Sequence, residues 1–416
     1  MVDRYDGFRF NSQFPFCSFP FVLDTYSGCN HFCTYCFSYF NSLVNVSQKN
    51  VNFSKDTKVI DIKKFKRTFS NPTSKRQKIL YGAIKKKIPI HWGGITDPFS
   101  HFEKEHGASL EIAKFLAKIH YPYIVSTKGS IILEKVYKKA LGDGLNIIQI
   151  SLISMDKSLN KIELNVSIED RLEAISYYSS IGKKVVVRAQ PFIPFYSEKH
   201  YEPLVKEVAK RGAKAITVEF LKLTQFLTPP VKMAYNQLSK GIGYNIIAYY
   251  KLKGINTGSD MEIRSEEKAK VIYKLREIAH ENGLEFYSAD NAFRFIGDSP
   301  ICCGLTGKEE GFENARTCIT SFALFKAMKK EYIFWEDVDD KNDPILNCPY
   351  SVGWINQQSV KSSAERREWK HRDLLRYIWN TPSHSVNPSK FFENLMVAGK
   401  DKNGNIYYKW IDKFKK

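Results

Sequence analysis

The sequence predicts an α/β fold, a partial or closed parallel (β/α)6–7 barrel followed by an irregular C-terminal module. Between residues 20 and 290, short apolar runs of strand length alternate with segments that repeat apolar residues at helical spacing. Continuous apolar strands separated by helices are typical of a parallel sheet covered by helices. Six or seven such units form most or all of a barrel, and we expect the active site at the C-terminal ends of its strands.

The alternation can be assigned element by element. The predicted strands are the apolar runs 21–24, 88–92, 123–126, 147–153, 185–189, 215–223 and 284–288. The predicted helices cover 108–119, 133–141, 168–180, 201–211 and 263–279. Glycines close four of these helices, at positions 142, 182, 212 and 283, as C-terminal caps do.

We predict three regions from these patterns. An N-terminal extension (1–19) precedes the barrel (20–295), and a Cys-containing, basic C-terminal module (296–416) follows it. A basic insert at about 41–87 interrupts the barrel after its first strand.

Positive charge is concentrated in two segments of the chain, whose formal net charge is +19. Residues 41–90 hold 13 Lys or Arg and two acidic residues, and residues 351–416 hold 13 basic and six acidic residues. A localised basic surface is typical of a protein that binds a polyanion, so the pattern predicts a nucleic-acid partner. Solvated surface lysines would explain any single run, such as Lys85-Lys86-Lys87.

Composition excludes several classes of protein. Hydrophobic residues make up 43% of the chain and charged residues 26%, which is globular rather than disordered composition. No apolar run reaches the roughly 18 residues that a membrane-spanning helix needs, and the first residues lack the apolar stretch of a signal peptide. We therefore predict a cytoplasmic protein without a membrane partner.

The eight cysteines fall into two groups. A disulfide framework is not expected in a reducing compartment. The first group is Cys17, Cys29, Cys33 and Cys36, and the second is Cys302, Cys303, Cys318 and Cys348. Each group predicts a local site.

The sharpest motif is Cys29-x3-Cys33-x2-Cys36, just beyond the first predicted strand. Three thiolates in one compact loop can bind three irons of a [4Fe-4S] cluster and leave the fourth iron open, whereas ferredoxin runs supply a fourth cysteine. Two alternatives remain. One is a zinc knuckle in which His31 is a poor extra ligand, and the other is a set of buried thiols without a ligand.

This cysteine spacing, with the aromatic Tyr35 before the last cysteine, resembles the signature of the radical S-adenosylmethionine (radical SAM) superfamily. The resemblance implies a [4Fe-4S] cluster whose open iron binds the amino and carboxylate groups of S-adenosyl-L-methionine (SAM). It implies reductive cleavage of SAM to methionine and a 5′-deoxyadenosyl radical, which abstracts a hydrogen atom from the substrate. It also places Tyr35 and Phe37 near the adenine and requires a reducing partner such as flavodoxin or ferredoxin.

The segment after the second predicted strand contains a double glycine followed by polar residues, in Gly93-Gly94-Ile-Thr96-Asp97. It looks like the superfamily's Gly-Gly-Glu element, which receives the SAM ammonium group. Thr96 and Asp97 are the candidates for the displaced acidic group. Glycine lets a backbone approach a ligand closely, although the pair alone would indicate only a turn.

Three residues on later strands complete the implied SAM site. Ser126 ends the third predicted strand, Ser151 lies in the fourth and Arg188 ends the fifth. The superfamily commonly places a polar residue and a cation there, against the carboxylate and ribose of SAM, and Arg pairs bidentately with a carboxylate. The alternative for Arg188 is a salt bridge to Glu219 on the next strand.

Within the superfamily, the segment from Gly94 to Glu103 is most similar to the branch that contains spore photoproduct lyase, in which a Thr-Asp-Pro-aromatic element is followed by Glu. The segment from Arg188 to Pro194 fits the same branch. The resemblance covers about residues 20–290. The hydrogen-donating cysteine of that enzyme has no counterpart, because no cysteine lies between Cys36 and Cys302. A thymine-dimer repair activity is therefore not implied.

The second cysteine group lies in a stretch that contains Gly and Pro. The four thiolates of Cys302, Cys303, Cys318 and Cys348 predict a second iron–sulfur cluster or a structural zinc. Unliganded thiols are one alternative, and a redox or hydrogen-donor role for Cys302 or Cys303 is another. Tyr287 ends the last predicted strand and is expected to face the active site. The predicted catalytic residues are therefore Cys302, Cys303 and Tyr287.

The C-terminal segment 361–377 is predicted to be a basic helix, and 398–410 a hairpin. Basic residues interleaved with Trp369 and Tyr377 can pair with phosphates and stack on bases. The predicted nucleic-acid contacts are Arg366, Arg367, Lys370, Arg372 and Arg376. Alternatively, the leucines and aromatic residues of this helix form its core face.

These patterns together predict a radical SAM enzyme that abstracts hydrogen from a nucleic-acid base, with DNA favoured over RNA, in base modification or repair. Its reaction class (lyase, isomerase or transferase) stays open. One alternative is a radical SAM enzyme that acts on a peptide or small molecule with an auxiliary C-terminal cluster. The other is a metal-containing nucleic-acid-binding protein without catalysis.

Overall fold

The computed structural model describes residues 4–10, 17–44, 57–315, 319–343, 346–347 and 369–414. The chain forms two compact units. The first comprises residues 1–7, 23–62 and 91–287, and the second comprises residues 8–22, 63–90 and 288–416. Each unit is therefore built from segments that are separated in sequence. The predicted regional boundaries near residues 20 and 296 stay a prediction.

Regular elements are numbered along the chain. The strands are β1 (Arg4–Tyr5), β2 (Phe8–Phe10), β3 (Phe21–Leu23), β4 (Val59–Ile60), β5 (Ile90–Trp92), β6 (Tyr123–Thr127), β7 (Asn146–Ser151), β8 (Val185–Phe192), β9 (Ala215–Phe220), β10 (Leu223–Thr224), β11 (Gly254–Thr257), β12 (Asp260–Ile263), β13 (Glu285–Ser288), β14 (Tyr332–Ile333), β15 (Leu395–Lys400) and β16 (Ile406–Trp410). The helices are α1 (Phe37–Val44), α2 (Ile62–Ser70), α3 (Lys75–Ile84), α4 (Phe102–His106), α5 (Ala108–Lys118), α6 (Lys135–Gly142), α7 (Ile168–Ser180), α8 (Tyr196–Lys210), α9 (Pro229–Ile242), α10 (Ile246–Lys253), α11 (Ser265–Glu281), α12 (Ile319–Lys330), α13 (His371–Trp379) and α14 (Pro388–Phe391). None of the described helices has both the length and the apolar character needed to cross a membrane.

A large, mostly parallel sheet forms the core of the first unit. Its strands follow one another in the order β3, β5, β6, β7, β8, β9 and β13, which is also their order along the chain. The parallel register places Ser126 opposite Gln149 and Ser151 opposite Arg188. In the described residues the first and last of these strands do not pair with each other, so the sheet is a partial barrel. The predicted parallel α/β fold is confirmed.

The strands are buried because their side chains are apolar on both faces. Val185, Val186 and Val187 of β8 are wholly buried, and β6 and β7 are buried along their whole length. Each of the seven predicted strands forms, and each of the five predicted helices forms. Helix α8 begins earlier than predicted, because the Glu198 carboxylate accepts the backbone N–H of Phe195 at 3.0 Å and caps the helix.

One stretch differs from the predicted alternation. The predicted strand 215–223 ends at Phe220, and Leu223–Thr224 forms the separate strand β10, which pairs antiparallel with β12. Helices α9 and α10 and the hairpin β11–β12 then precede α11. Helix α9 starts at consecutive prolines after Thr228, a start signal that apolar periodicity alone does not reveal.

Two helices of the basic insert belong to the second unit. Helices α2 and α3 bury Phe65, Leu80 and Ile84, whereas Lys63 and Lys78 are exposed. The side-chain amide of Gln77 joins the two helices, because it donates to the carbonyl of Lys64 at 3.2 Å. The insert is therefore a folded helical pair over residues 62–84.

The C-terminal part of the second unit contains a small antiparallel sheet in the order β14, β16, β15. The predicted terminal hairpin is present as β15 and β16. Helix α13 buries Leu374, Leu375 and Trp379, and the Trp379 indole donates to the carbonyl of Ile406 at 2.6 Å. The core-face interpretation of this helix thus fits its described residues, and residues 361–368 of the predicted helix lie outside them.

A buried carboxylate fixes the segment that leads into the first cysteine group. Glu103 of α4 is 1% exposed and accepts hydrogen bonds from the hydroxyls of Tyr26 and Tyr137. It also accepts the backbone N–H groups of Ser109 at 2.8 Å and Leu110 at 2.9 Å, and so caps α5. Four donors thus converge on one side chain.

We expect Glu103→Ala to lower the free energy of unfolding by about 3 kcal/mol, because it leaves buried hydroxyl and N–H donors without an acceptor. Urea unfolding followed by circular dichroism measures this change. Glu105→Ala on the same helix is the matched control, since that side chain is 71% exposed, and its loss should cost less than about 0.5 kcal/mol. Equal losses for the two variants would contradict the role given to Glu103.

Candidate active site

The first cysteine group lies in a loop (residues 25–36, the cysteine loop) that follows the C-terminal end of β3. Two backbone contacts tie this loop to the segment after β7. The N–H of Thr34 donates to the carbonyl of Ile162 at 2.9 Å, and Cys33 forms an antiparallel bridge with Glu163. The N–H of Cys36 donates to the carbonyl of Cys33 at 3.1 Å, which makes a tight turn before α1.

The thiols of Cys29, Cys33 and Cys36 are half-buried and form no disulfide. Burial raises the pKa of Cys29 to about 12, and burial also raises the pKa of Cys33 and of Cys36. The nearby thiols of Cys36 and Cys29 raise the pKa of Cys33 further, because a second negative charge beside an ionised thiol is unfavourable. The N–H of Tyr39, in the first turn of α1, donates to the Cys36 sulfur at 3.5 Å and partly offsets burial there.

This donor set fits a [4Fe-4S] cluster. A metal replaces the proton of a thiol, so buried thiols with raised pKa values ionise readily only together with metal binding. Three of them supply three irons and leave one iron for another ligand. In the described residues no three His, Cys, Asp or Glu side chains surround one point as the ligands of a single ion do. The alternative zinc site that includes His31 stays open.

Tyr35 is held by a buried ion pair that the sequence analysis missed. Its hydroxyl donates to one carboxylate oxygen of Glu163, and Arg171 donates to the other at 2.6 Å. The side chains of Glu163 and Arg171 are 0% and 2% exposed. Lys128 lies 4.0 Å from the same carboxylate. Burial alone would raise the pKa of Glu163, but Arg171 and Lys128 outweigh it and hold that pKa below its ordinary value.

The turn after β5 brings the predicted double glycine to the mouth of the partial barrel. Gly93 has a φ of +84°, and a Cβ there would lie 2.5 Å from the carbonyl oxygen of Ser126. Only glycine therefore fits this position. The Asp24 carboxylate holds the turn, since it accepts the N–H groups of Ile95 at 3.0 Å and Thr96 at 3.2 Å.

Asp97 has both carboxylate oxygens engaged within the protein. One oxygen accepts the N–H of Phe99 at 2.8 Å and the hydroxyl of Thr127 at 2.7 Å. The other accepts the N–H of Lys128 at 2.6 Å and lies 3.0 Å from Nε2 of His31. Asp97 thus joins the cysteine loop to the end of β6, and its predicted contact with SAM stays a prediction.

Polar side chains on β5, β6 and β7 form a chain that the sequence analysis recognised only in part. Nε2 of His91 lies 3.0 Å from the hydroxyl of Ser126, which donates to the side-chain carbonyl of Gln149 at 2.6 Å. Burial and the neighbouring Arg188 lower the pKa of His91 to about 3, so its ring is neutral at pH 7. A polar residue within a largely apolar strand, as for Ser151, was the available signal for Gln149.

Arg188 keeps hydrogen-bonding capacity for a ligand. Its guanidinium donates to the side-chain carbonyl of Gln190 at 2.7 Å and 2.9 Å. It forms no ion pair within the described part of the chain, and Glu219, the alternative partner, lies 3.4 Å from Lys222. Ser151 is 8% exposed and lies opposite Arg188 in the register. A half-buried guanidinium without a carboxylate suits an incoming carboxylate group, as predicted for SAM.

The two aromatic residues of the motif differ in exposure. Phe37, the first residue of α1, is 59% exposed, whereas Tyr35 is buried. The exposed ring of Phe37 leaves a face for a planar ligand. The predicted SAM contacts of Tyr35, Phe37, Gly93, Gly94, Thr96, Asp97, Ser126, Ser151 and Arg188 stay predictions.

The catalytic role predicted for Tyr287 receives no support from its position. Tyr287 is wholly buried, and its hydroxyl donates to the Glu285 carboxylate at 3.0 Å. Glu285 pairs at 2.6 Å with Lys184, which directly precedes β8. The hydroxyl therefore points toward the N-terminal ends of the strands, whereas the cysteine loop lies at the opposite ends.

The second cysteine group is described only in part. Cys302 and Cys303 are half-buried residues of the second unit, and Cys318 and Cys348 lie outside the described residues. A second metal site, and a catalytic role for Cys302 or Cys303, therefore stay predictions.

The predicted nucleic-acid contacts in the C-terminal segment are also described only in part. Arg366 and Arg367 lie outside the described residues, and Lys370 is exposed before α13. Arg372 pairs with Asp339 at 2.6 Å, and Arg376 donates to the side chain of Asn405 at 3.0 Å. The structure gives both arginines intramolecular partners, so their predicted phosphate contacts remain without support.

Comparison with known proteins gives one family match and several structural neighbours. Residues 23–208 match the sequence profile of the radical SAM superfamily. No curated protein matches the sequence. The solved structure of spore photoproduct lyase complexed with dinucleoside spore photoproduct is similar at 16% identity and a TM-score of 0.47, over 68% of this chain and 79% of that chain. The radical SAM methyltransferase TsrM from Kitasatospora setae is similar at 11% identity and a TM-score of 0.36, over 52% of this chain and 37% of that chain.

Residues 23–208 thus form a radical SAM domain, and this domain supports an enzymatic function. The family implies a [4Fe-4S] cluster and SAM as cofactors, and Cys29, Cys33 and Cys36 are the residues that fit the cluster. The reaction class is not fixed by membership of the superfamily.

We expect His91 to make the protein less stable as the pH falls. Its pKa is about 3 when folded, well below its ordinary value, so below about pH 6.5 only the unfolded state takes up the proton. Between about pH 7.5 and about pH 5 the wild type should lose about 2 kcal/mol more unfolding free energy than His91→Asn. Urea unfolding at the two pH values measures the difference, and parallel losses would contradict it.

Proposed function

We propose that this enzyme abstracts a hydrogen atom from a base in a nucleic acid, with DNA favoured over RNA. The observation that supports the proposal is the distribution of charge between the two units. The second unit holds 31 basic and 17 acidic residues, which is +14 of the net charge of +19, whereas the first holds 32 and 27. Both basic segments found in the sequence contribute to the second unit.

The exposed lysines of α2, α3 and the turn after α3 provide the most basic part of this unit. No acidic residue occurs between Asp61 and Asp97. The exposed basic residues, here called the α2–α3 surface, are Lys63, Arg67, Lys78, Lys85, Lys86 and Lys87. Such a surface binds phosphates without reading sequence.

The first unit supplies the chemistry in this proposal. Cys29, Cys33 and Cys36 hold the cluster, and Arg188 with Ser151 binds the carboxylate group of SAM. When bound and reduced, the cluster supplies the electron that cleaves SAM to the 5′-deoxyadenosyl radical. A base must leave its stack to reach such a buried centre, so single-stranded or distorted sites are the favoured substrates.

We expect a nucleic acid to accelerate SAM cleavage. The protein is reconstituted with iron and sulfide under anaerobic conditions and reduced with dithionite, and 5′-deoxyadenosine is quantified with duplex DNA, single-stranded DNA, transfer RNA or no addition. Cleavage that one nucleic acid stimulates, and that Cys33→Ala abolishes, supports the proposal. Cleavage that is indifferent to all three would overturn it and favour a peptide or small-molecule substrate.

We also expect binding to depend on the α2–α3 surface. The variant Lys78→Gln/Lys85→Gln/Lys86→Gln removes three exposed charges and leaves Lys87, whose φ is +50°, in place. It should weaken DNA binding and reduce the slope of log affinity against log salt by up to about three, about one for each lost phosphate contact. The matched control is Lys114→Gln/Lys118→Gln/Lys135→Gln, three exposed lysines of the first unit. Equal slopes for the two variants would contradict the assignment of the α2–α3 surface.

A further inference from the structure

Glu163 connects the cysteine loop to the rest of the first unit. It follows the short 3-10 helix Lys157–Lys161, and its backbone pairs with Cys33. Its carboxylate is fully buried and faces Tyr35, Arg171 and Lys128. One residue therefore contacts the cysteine loop through both its backbone and its side chain.

The partner of Glu163 is itself firmly placed. Nε of Arg171 donates to the carbonyl of Ser167 at 3.0 Å, and Nη1 donates to the carbonyl of Ser151, at the end of β7, at 3.0 Å. The guanidinium is thus fixed between the first turn of α7 and the sheet. Because Tyr35 bonds to the carboxylate that this guanidinium holds, the position of the Tyr35 ring is set by the barrel.

The three charges of Glu163, Arg171 and Lys128 sum to a net positive charge. The carboxylate carries one negative charge, and Arg171 and Lys128 carry two positive charges, at 2.6 Å and 4.0 Å from its oxygens. Lys128 also lies 5.9 Å from the centre of the Tyr35 ring. Both Lys128 and Glu163 act electrostatically on the Cys33 thiol, with opposite signs. In a poorly solvated setting such charges interact over longer distances than in water.

We propose that Glu163 is a positioning residue for the iron–sulfur cluster and that the charges of Glu163, Arg171 and Lys128 set the reduction potential of that cluster. Reduction adds one negative charge to the cluster, and net charge and hydrogen bonds around the sulfurs are known determinants of such potentials. A nearby carboxylate therefore lowers the potential, and a nearby cation raises it. The inference concerns the cluster alone and holds for any substrate.

The test is an anaerobic redox titration of the reconstituted full-length protein without SAM, followed by the electron paramagnetic resonance signal of the reduced cluster. Glu163→Gln should shift the midpoint potential to more positive values, and Lys128→Met should shift it to more negative values. The double variant Glu163→Gln/Arg171→Gln removes one charge of each sign, so its potential should return toward that of the wild type.

Tyr35→Phe separates anchoring from charge. It removes the hydrogen bond to Glu163 without changing any charge, so we expect less cluster bound per protein chain and a potential shift smaller than in either charge variant. If Glu163→Gln does not fold, the double variant and Lys128→Met still test the proposal, because neither leaves Arg171 buried without a partner. Unchanged potentials in folded, cluster-containing charge variants, or shifts of the same sign for Glu163→Gln and Lys128→Met, would overturn it.

Discussion

Three neighbouring thiols must lose their protons within one poorly solvated loop, and the surroundings of the cysteine loop are organised around that requirement. Burial raises the pKa of each thiol, so the loop cannot rely on free thiolates to hold its shape. Its shape comes instead from contacts other than those of the thiols: the backbone bridge from Cys33 to Glu163, the hydroxyl of Tyr35 and the turn before α1. The first two connect the loop to the segment after β7.

Three carboxylates hold the segments around the cysteine loop in place, and each accepts hydrogen bonds from residues that are distant in sequence. Asp24 holds the glycine turn after β5, Asp97 holds the cysteine loop against β6, and Glu103 collects two tyrosines and the start of α5. A buried carboxylate with several donors is costly to replace because every donor would lose its acceptor at once. The acidic residues of the Thr-Asp-Pro…Glu segment therefore have structural partners within the protein, and the predicted contact of Asp97 with SAM stays a prediction.

The sequence was sufficient for the sheet because its strands, such as Val185–Val187, are continuously apolar and separated by helices of clear period. It was insufficient where the signal is non-local. Glu163 and Tyr35 are 128 residues apart, and nothing in either neighbourhood indicates that they meet. Spacing also cannot tell whether a carboxylate such as Asp97 is already satisfied, or toward which end of a strand the hydroxyl of Tyr287 leans. Helix α10 was not predicted because its apolar residues are spread around the helix instead of recurring on one face, and helix α9 begins at a proline pair that apolar periodicity does not reveal.

The discontinuity of the second unit has a consequence for biosynthesis. Helices α2 and α3 are synthesised before residues 288–416, which belong to the same unit. The apolar side chains of Phe65, Leu80 and Ile84, which are buried in the folded protein, are therefore synthesised well before their unit is complete. A fragment that stops before residue 288 would lack the residues with which these two helices form a unit.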